Sequence, residues 1–223
     1  MQIIIQARMS STRLPNKVLC RINGKPLIEY LVIRLDENFH GKIYFAISDH
    51  LDDDKIEKFC IEKDLPCFRG QLEDVSKRIL DAVKHYDKEA FVRINGDSPL
   101  IDPVIIDKAI QIYQNGEYDL VTNTFPRSFP VGQSVEVIRT STFEKAYKNM
   151  SIPDHFEHVT KYYYDNPDEF SVKNFSNERD LSGYRLVVDT PEDLIRMKKI
   201  IDSMTNPLTK YSLDELIKLY PST

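Results

Sequence analysis

The stretch "QIIIQARMSSTRLPNK" (residues 2–17) decides the fold, because an apolar segment runs directly into a basic, polar one. Consecutive isoleucines are β-branched and apolar, which is typical of a strand that is buried on both faces of a parallel sheet. The segments "KIYFAIS" (42–48) and "AFVRIN" (90–95) have the same character. We therefore predict buried strands at all these places.

Helical patterns lie between and after these strands. "PLIEYLVIRLDEN" predicts a helix with Pro26 at its first position, and "DDDKIEKFCIEK" predicts a helix with an acidic first turn. Apolar residues then recur every three or four positions from Leu72 to Tyr86, and Asp102 followed by Pro103 is a helix start signal. This alternation predicts an α/β fold with a doubly wound, mostly parallel sheet.

The alternation weakens from about residue 125 to residue 183. "FPRSFPVGQ" contains prolines and a glycine, and "FEHVTKYYYDNP" is aromatic and polar. We interpret 125–183 as a subdomain or partner-contact arm inside a single domain that covers residues 1–223. "YRLVVD" (184–189) then predicts a further strand, and "TPEDLIRMKKIID" predicts a helix that starts at Thr190.

Composition limits the classes of partner. The net charge of −5 argues against a surface for nucleic acid or anionic membranes, so any basic cluster must serve a local purpose. The three cysteines form no C-x-x-C pair, which is typical of a protein from the reducing cytoplasm. The N-terminal apolar run is too short for a signal peptide or a membrane span, so we expect a cytoplasmic protein with no membrane partner.

The basic loop after the first strand is the leading candidate site. Arg8, Arg13 and Lys17 supply positive charge. Ser10, Ser11, Thr12 and free backbone N–H groups supply hydrogen-bond donors. This combination suits a polyphosphate, and ligands of α/β sheets bind beyond the carboxyl ends of the strands. The alternative is an ordinary charged surface turn. Neither GxxxxGK[ST] nor G-x-G-x-x-G occurs in the sequence.

Two carboxylates are predicted at strand ends. Asp97 lies in the loop "NGDSPLID" (95–102), and Asp189 ends the segment 184–189. At these positions both side chains would face the crevice above the sheet, where a divalent metal could bridge them to phosphate oxygens. For Asp189, capping of the following helix is an equally good interpretation.

Three further patterns could suggest a metal site or a base-stacking site, and for each another interpretation is favoured. The acidic run 52–54 suits the positive end of a helix better than a metal site. His155, Glu157 and His158 fit no zinc motif of the protease type, so a substrate-contacting or interface role is favoured. Consecutive tyrosines at 162–164 face different sides of any element, which indicates packing.

Five segments resemble, in order, the signature blocks of the cytidylyltransferase family that includes spore-coat polysaccharide cytidylyltransferase-like proteins. They are "IIIQARMSSTRLPNKVL", "VRINGDSPLIDP", "SVEV", "EHVT" and "VVDTPEDL", within about residues 2–200. More distantly, the chain is similar to the acylneuraminate and 3-deoxy-manno-octulosonate cytidylyltransferases. It departs from the family pattern at Asn16, Ser98, Val131 and Phe156, and the last two lie in the region that the resemblance implies for the sugar.

The resemblance implies a Rossmann-like nucleotidyltransferase fold with a small dimerisation arm, and hence a homodimer. It further implies that Arg8, Arg13 and Lys17 hold the CTP phosphates and that Asp97 and Asp189 hold Mg²⁺. We expect catalysis from Arg8, Arg13, Lys17 and Asp97. Asn95 and the turn 69–71 are expected near the base. The residues expected to bind the acceptor are Gln133, Glu136 and His158. The expected nucleotide-binding residues are Ala7, Arg8, Ser10, Ser11, Arg13, Lys17, Arg69, Gly70, Gln71, Asn95 and Gly96.

The expected activity is transfer of CMP from CTP to an acidic sugar or similar small acceptor, with release of pyrophosphate, in the biosynthesis of surface polysaccharide or glycoconjugate. Glu136, His158 and a metal-activated acceptor hydroxyl are open alternatives for proton removal. A transferase for another nucleotide or a phosphorylated acceptor, a nucleotide-sugar glycosyltransferase and a silent nucleotide-binding module also remain open.

Overall fold

A seven-stranded sheet forms the centre of the computed structural model, which describes residues 1–221. The strands are β1 (Gln2–Gln6), β2 (Arg21–Ile22), β3 (Lys25–Pro26), β4 (Ile43–Ser48), β5 (Cys67–Gly70), β6 (Ala90–Asn95), β7 (Leu120–Thr122), β8 (Glu136–Arg139) and β9 (Val172–Asn174). The α-helices are α1 (Leu27–Phe39), α2 (Asp54–Glu62), α3 (Val75–His85), α4 (Pro103–Gln114), α5 (Thr140–Asn149), α6 (Pro153–Glu157), α7 (Lys161–Asp165), α8 (Pro191–Asp202) and α9 (Leu213–Lys218).

The strand order is β5-β4-β1-β6-β8-β7-β9, and only β8 runs antiparallel to its neighbours in this sheet. Strands β2 and β3 form a separate antiparallel ribbon. The predicted α/β class with a mostly parallel, doubly wound sheet is therefore confirmed. Among residues 1–221, no helix is both long and apolar enough to cross a bilayer.

The three isoleucines of β1 explain why the sheet is covered on both faces. Ile3 and Ile5 belong to the apolar core beneath α1, α4 and α8, whereas Ile4 belongs to the core beneath α3, α5 and α7. All three side chains are completely buried. Successive side chains of a strand point to opposite faces, so an uninterrupted apolar run requires helices on both sides.

Residues 125–183 are more than an arm. They contain β8, which pairs with β6 and β7 inside the sheet, and β9, which forms its edge. The sequence pattern concealed this arrangement because these strands are only three or four residues long. A dimerisation arm in this region stays a prediction.

The predicted strand at 184–189 is wrong. The segment is extended, but it forms only an isolated bridge between Val131 and Arg185 and joins no strand of the sheet. Leu186 N donates to Val131 O at 2.7 Å, and Val188 N donates to Asp97 O at 2.9 Å. Its apolar residues reflect burial of Leu186 and Val188 in the core rather than strand pairing.

Gly132 permits the close approach between residues 131–132 and this extended segment. Its φ is +97°, and a Cβ atom there would collide with the carbonyl group of Leu186 and lie 2.6 Å from Val187 N. Both the backbone conformation and the available space therefore require glycine.

We expect Gly132→Ala to lower the free energy of unfolding by at least about 2 kcal/mol, because it adds a left-handed strain and a backbone collision. Denaturant unfolding followed by circular dichroism measures the change. Gly183→Ala is the matched control, since nothing lies within 4 Å of the added Cβ. Equal stability of the two variants would contradict this account of residue 132.

Candidate active site

A cavity of about 260 Å³ lies at the carboxyl ends of β1 and β6. These strands pair in parallel with Gln6 opposite Asn95, so the loops that follow them leave the sheet side by side. The residues around the cavity come from β1 and β6, from the loops that follow them, from the end of α6 and from the extended segment: Gln6, Ala7, Arg8, Arg13, Lys17, Val18, Arg93, Asn95, Gly96, Asp97, Glu157, His158 and Asp189.

Lys17 occupies the centre of the charged wall. Its Nζ donates to Asp97 Oδ2 at 2.6 Å and to Asp189 Oδ1 at 2.7 Å. Arg13 Nη2 lies 3.5 Å from the other oxygen of Asp189. Burial lowers the pKa of Lys17, but the two carboxylates outweigh this effect and raise the pKa above its ordinary value. The ammonium group is therefore charged at neutral pH, and two carboxylates converge on one cation.

Asp189 reaches this position through backbone contacts. Val188 N donates to Asp97 O, and Asp189 N donates to Asp193 Oδ2 at 3.1 Å. Thr190 provides the side-chain cap of α8, which leaves the Asp189 carboxylate bonded to Lys17. The capping interpretation of Asp189 therefore does not apply, and its carboxylate faces the cavity.

Asp193, in the first turn of α8, accepts the backbone hydrogen bond from Asp189 N. Its side chain is 3% exposed and accepts hydrogen bonds from Arg185 and Arg196. Burial raises the pKa of Asp193, but these hydrogen bonds outweigh it and lower the pKa to about 2. Asp193 is therefore ionised at neutral pH and available to hold the backbone of Asp189.

The donor set around Lys17 fits a hard divalent cation. Two carboxylate oxygens already lie 2.6 and 2.7 Å from a single positive atom, and Mg²⁺ binds to one or two carboxylates together with phosphate oxygens and water. Within residues 1–221, no group of three or more acidic, histidine or cysteine side chains forms an all-protein metal site.

Asp53 fixes the start of the basic loop. Its side chain is 1% exposed, and it accepts Met9 N at 2.7 Å with one oxygen and Ser48 N and Oγ at 2.8 and 2.6 Å with the other. The acidic run 52–54 does begin a helical segment, but its middle member also ties the loop after β1 to the end of β4. No sequence signal separates Asp53 from its two acidic neighbours, because its partners are distant in the chain.

Arg93 lines the cavity and was not predicted. Its Nε donates to Gln6 Oε1 at 3.0 Å, its Nη2 donates to Asn95 Oδ1 at 3.2 Å, and its Nη1 forms a short ion pair with Glu136. The ion pair between Arg93 and Glu136 follows from the register of the sheet, because β8 places Glu136 directly opposite Arg93. Such a register is invisible until the strand order is known.

Glu136 is already engaged by several donors. Besides Arg93, Thr160 Oγ1 donates at 2.5 Å and the Tyr164 hydroxyl at 3.1 Å, and the side chain is 6% exposed. A carboxylate with these partners orients Arg93 rather than serving as a free base. His158, by contrast, is exposed and lines the cavity.

Members of the 155–158 group have different partners. Arg8 forms a bidentate pair with Glu157, at 2.5 and 3.2 Å. His155 is buried and bonds through Nε2 to Asp165 at 3.0 Å. The side chains therefore do not converge as metal ligands would, and Glu157 holds Arg8 at the cavity.

Residues 69–71 lie outside the cavity, and they are not the turn that the sequence predicts, because Arg69 and Gly70 belong to β5. Arg69 pairs with Asp54 at 2.6 Å and with Glu57 at 2.8 Å, while Gly70 ends β5. Ser10 and Ser11 belong to the basic loop but do not line the cavity. Base or phosphate contacts from these residues stay predictions.

Arg78 contacts the backbone just after β5 and was not predicted. It is completely buried, and Nη1 donates to Gln71 O at 2.5 Å and to Leu72 O at 3.2 Å. Its Nε and Nη2 have no partner among the described residues. Burial and the neighbouring charge of Arg8 lower the pKa of Arg78 to about 10. The sequence shows it only as one polar position of an amphipathic helix.

Gln133 is placed away from the cavity. Its side chain is completely buried, donating to Leu100 O at 2.8 Å and accepting Asp102 N at 2.8 Å. This amide therefore supports the loop that carries Asp97, and a direct acceptor contact stays a prediction.

Comparison with known proteins finds relatives over nearly the whole chain. The family described as Cytidylyltransferase matches residues 2–220. The spore coat polysaccharide biosynthesis protein SpsF of Bacillus subtilis is 32% identical over 207 residues, which are 88% of this chain and 84% of the relative. The 3-deoxy-manno-octulosonate cytidylyltransferase of Serratia proteamaculans is 30% identical over 126 residues, which are 55% of this chain and 50% of that protein.

A solved structure is similar over nearly the whole chain. It is a cytidylyltransferase from Leptospira borgpetersenii, with a TM-score of 0.92 and 33% identity, covering 98% of this chain and 92% of that one.

We expect Asp53→Asn to weaken the attachment of the basic loop. Both oxygens of Asp53 accept hydrogen bonds, and the NH₂ group of asparagine would face one of those donors without being able to accept from it. The expected loss is about 1–3 kcal/mol of unfolding free energy, with weaker binding of CTP measured by calorimetry. Asp52→Asn is the control, since its side chain is 63% exposed. Unchanged CTP affinity in Asp53→Asn would contradict the supporting role.

Proposed function

The chain belongs to the cytidylyltransferase family, and from this premise we propose that it transfers CMP from CTP to an acidic sugar or related small acceptor and releases pyrophosphate. The observation that carries the proposal is the position of Lys17 between Asp97 and Asp189, with Arg13 alongside, at the carboxyl edge of the sheet. This edge is where α/β sheets bind nucleotides.

Phosphate binding is assigned to Arg8, Arg13 and Lys17. Their charges lie on the same cavity wall, and charge-assisted hydrogen bonds to phosphate are among the strong contacts available to a protein. Because each cation is paired with a carboxylate in the protein, triphosphate binding exchanges one anionic partner for another. The basic cluster is thus neutralised in both states.

The proposed metal is Mg²⁺, held by Asp97 and Asp189. When bound, it supplies positive charge to the phosphate oxygens. If Asp97 and Asp189 bound the metal instead of Lys17, the Lys17 ammonium group would be free to bind phosphate. Support comes from the convergence of the two side chains on one cation.

In the proposed reaction an acceptor hydroxyl oxygen attacks the α-phosphorus of CTP. The new O–P bond forms as the bond between the α-phosphorus and the bridging oxygen to the β-phosphorus breaks, and pyrophosphate leaves. The rate enhancement comes from positioning and charge neutralisation. Among the described cavity residues, His158 is the side chain best suited to take the hydroxyl proton, because Glu136 is already held by Arg93.

Recognition of the cytosine base is assigned to Asn95 and residues 69–71. Arg93 donates to Asn95 Oδ1, and the Nδ2 group of Asn95 donates to no other group of residues 1–221, which leaves it available for an acceptor on the base. Cytosine presents acceptors at O2 and N3, whereas uracil carries a hydrogen at N3. The buried Arg78 donates to Gln71 O and thereby holds the backbone at residue 71.

The names of the relatives support a sugar acceptor and a role in surface polysaccharide or glycoconjugate biosynthesis. A homodimer that uses part of 125–183 as an arm is also proposed, on the resemblance alone, and light scattering tests it. A cytoplasmic location is supported by the three unpaired cysteines.

We expect Lys17→Met to reduce pyrophosphate release by about 10- to 100-fold, because one charge-assisted phosphate contact is worth about 1.5–3 kcal/mol. The assay uses CTP, Mg²⁺ and a panel of sugar acids, neutral sugars and phosphorylated acceptors. Lys25→Met, on the exposed β2–β3 ribbon, is the matched control. Wild-type turnover in Lys17→Met would contradict the phosphate assignment, and full turnover in chelator would contradict the Mg²⁺ proposal.

We expect CTP to be preferred over UTP, and over ATP and GTP by more, because a site with a fixed donor leaves that donor unpaired against the wrong base edge. Turnover with the four triphosphates measures the preference. Asn95→Ala should reduce the ratio of CTP to UTP use without changing the requirement for Mg²⁺. Equal use of UTP by the wild type would contradict the base assignment, and transfer from a nucleotide sugar would favour a glycosyltransferase.

A further inference from the structure

The loop between β7 and β8, residues 123–135, stands over the same edge of the sheet as the cavity. Thr122 ends β7 opposite Glu136, the first residue of β8, so the loop begins and ends at this edge. Glu136 connects the loop to the cavity through its ion pair with Arg93. A side chain from this loop can therefore lie next to an acceptor bound at the cavity.

Arg127 is the unusual member of this loop. It is half-buried, yet Nη1 donates only to the neutral Ser134 Oγ, at 3.1 Å. No carboxylate oxygen of residues 1–221 lies within 4.0 Å of its guanidinium group. Burial lowers the pKa of Arg127, and the nearby Glu136 carboxylate partly offsets this effect. A half-buried arginine without a carboxylate partner has N–H groups available to bind an anionic ligand.

The charges around Glu136 do not balance. Arg93 and Arg127 are two cations near one buried carboxylate, and that carboxylate already accepts hydrogen bonds from Arg93, Thr160 and Tyr164. The cluster of Arg93, Arg127 and Glu136 therefore carries a net charge of +1. One additional anionic group would neutralise it.

Phe125 provides an apolar surface next to these charges. Its side chain is 59% exposed, and its ring stacks on Tyr164 with centroids 4.9 Å apart and planes 26° apart. The Tyr164 hydroxyl is held by Thr122 and Thr124 at 3.0 Å each, so the lower ring of the stack is fixed. An exposed aromatic ring two residues from a cation that has no carboxylate partner suits a molecule with an apolar ring face and one anionic group.

We propose that Arg127 binds the carboxylate of a sugar acid acceptor, while Phe125 packs against the C–H face of its ring. The inference rests on the proposed function, because it assigns the acceptor subsite of that reaction. It makes Arg127 the residue that distinguishes acidic from neutral acceptors. Arg93, positioned by Glu136, lies between this subsite and the nucleotide.

The test compares wild type, Arg127→Met and Arg127→Lys with CTP, Mg²⁺, and sugar acids including 3-deoxy-manno-octulosonate, each paired with its uncharged methyl ester. Arg127→Met should raise KM for the acid about 10- to 100-fold, which corresponds to loss of a charge-assisted contact. KM for CTP should stay within about twofold, since Arg127 contacts no nucleotide in this proposal. Arg127→Lys should restore part of the loss.

The preference for acid over ester separates recognition from general damage to the fold. Wild type should prefer the acid, and Arg127→Met should lose that preference. Arg179→Met is the charge-matched control, because Arg179 is 65% exposed and pairs with Asp214 away from the cavity residues. Thermal unfolding of each variant checks that the fold is intact.

The outcomes separate this inference from the proposed function. Wild-type KM and acid preference in Arg127→Met would overturn the role of Arg127 while leaving cytidylyl transfer in place. Use of neutral acceptors alone would also overturn it without affecting the transfer reaction. Failure of calorimetry to detect CTP binding, together with no pyrophosphate release from any acceptor, would overturn the proposed function itself.

Discussion

Strand β1 pairs in parallel with β6, with Gln6 opposite Asn95, so the chain leaves both strands at the same edge of the sheet. Gly96 N donates to Gln6 O at 2.8 Å, and a Cβ at residue 96 would lie 3.0 Å from the Ala7 side chain. This close pairing places a basic loop beside an acidic one. The cavity, the ion pairs and the approach of the extended segment 184–189 all depend on it.

Electrostatics explains why the charges in the cavity are paired. Its lining contains four cationic side chains and three carboxylates, and nearly all of them bond to one another across long sequence distances. An unpaired charge in a half-buried site is costly, and each cation of this lining is held by a carboxylate. A site of this kind is ordered before substrate binds, which reduces the entropy cost of binding.

Much of the site depends on residues that never touch the cavity. Asp53 holds the basic loop, Asp193 holds the backbone of Asp189, and Gln133 holds the loop that carries Asp97. All three are buried polar groups, and each accepts at least one backbone N–H group in addition to its other hydrogen bonds. Their exchange for apolar residues would leave those donors unpaired, which connects the stability of the fold to the geometry of the site.

The sequence by itself determined the sheet class and the parallel strands β1, β4 and β6, and it predicted that the charged loops after β1 and β6 would meet, because burial periodicity and clustered charges are local properties. It misassigned 184–189, since a buried extended segment and a strand have the same apolar pattern. Only the tertiary structure decided that β8 enters the sheet between β6 and β7, and hence that Glu136 pairs with Arg93. It likewise distinguished Asp53 from its neighbours and left Arg127 without a carboxylate, because hydrogen-bond partners 40 or more residues apart are decided by packing.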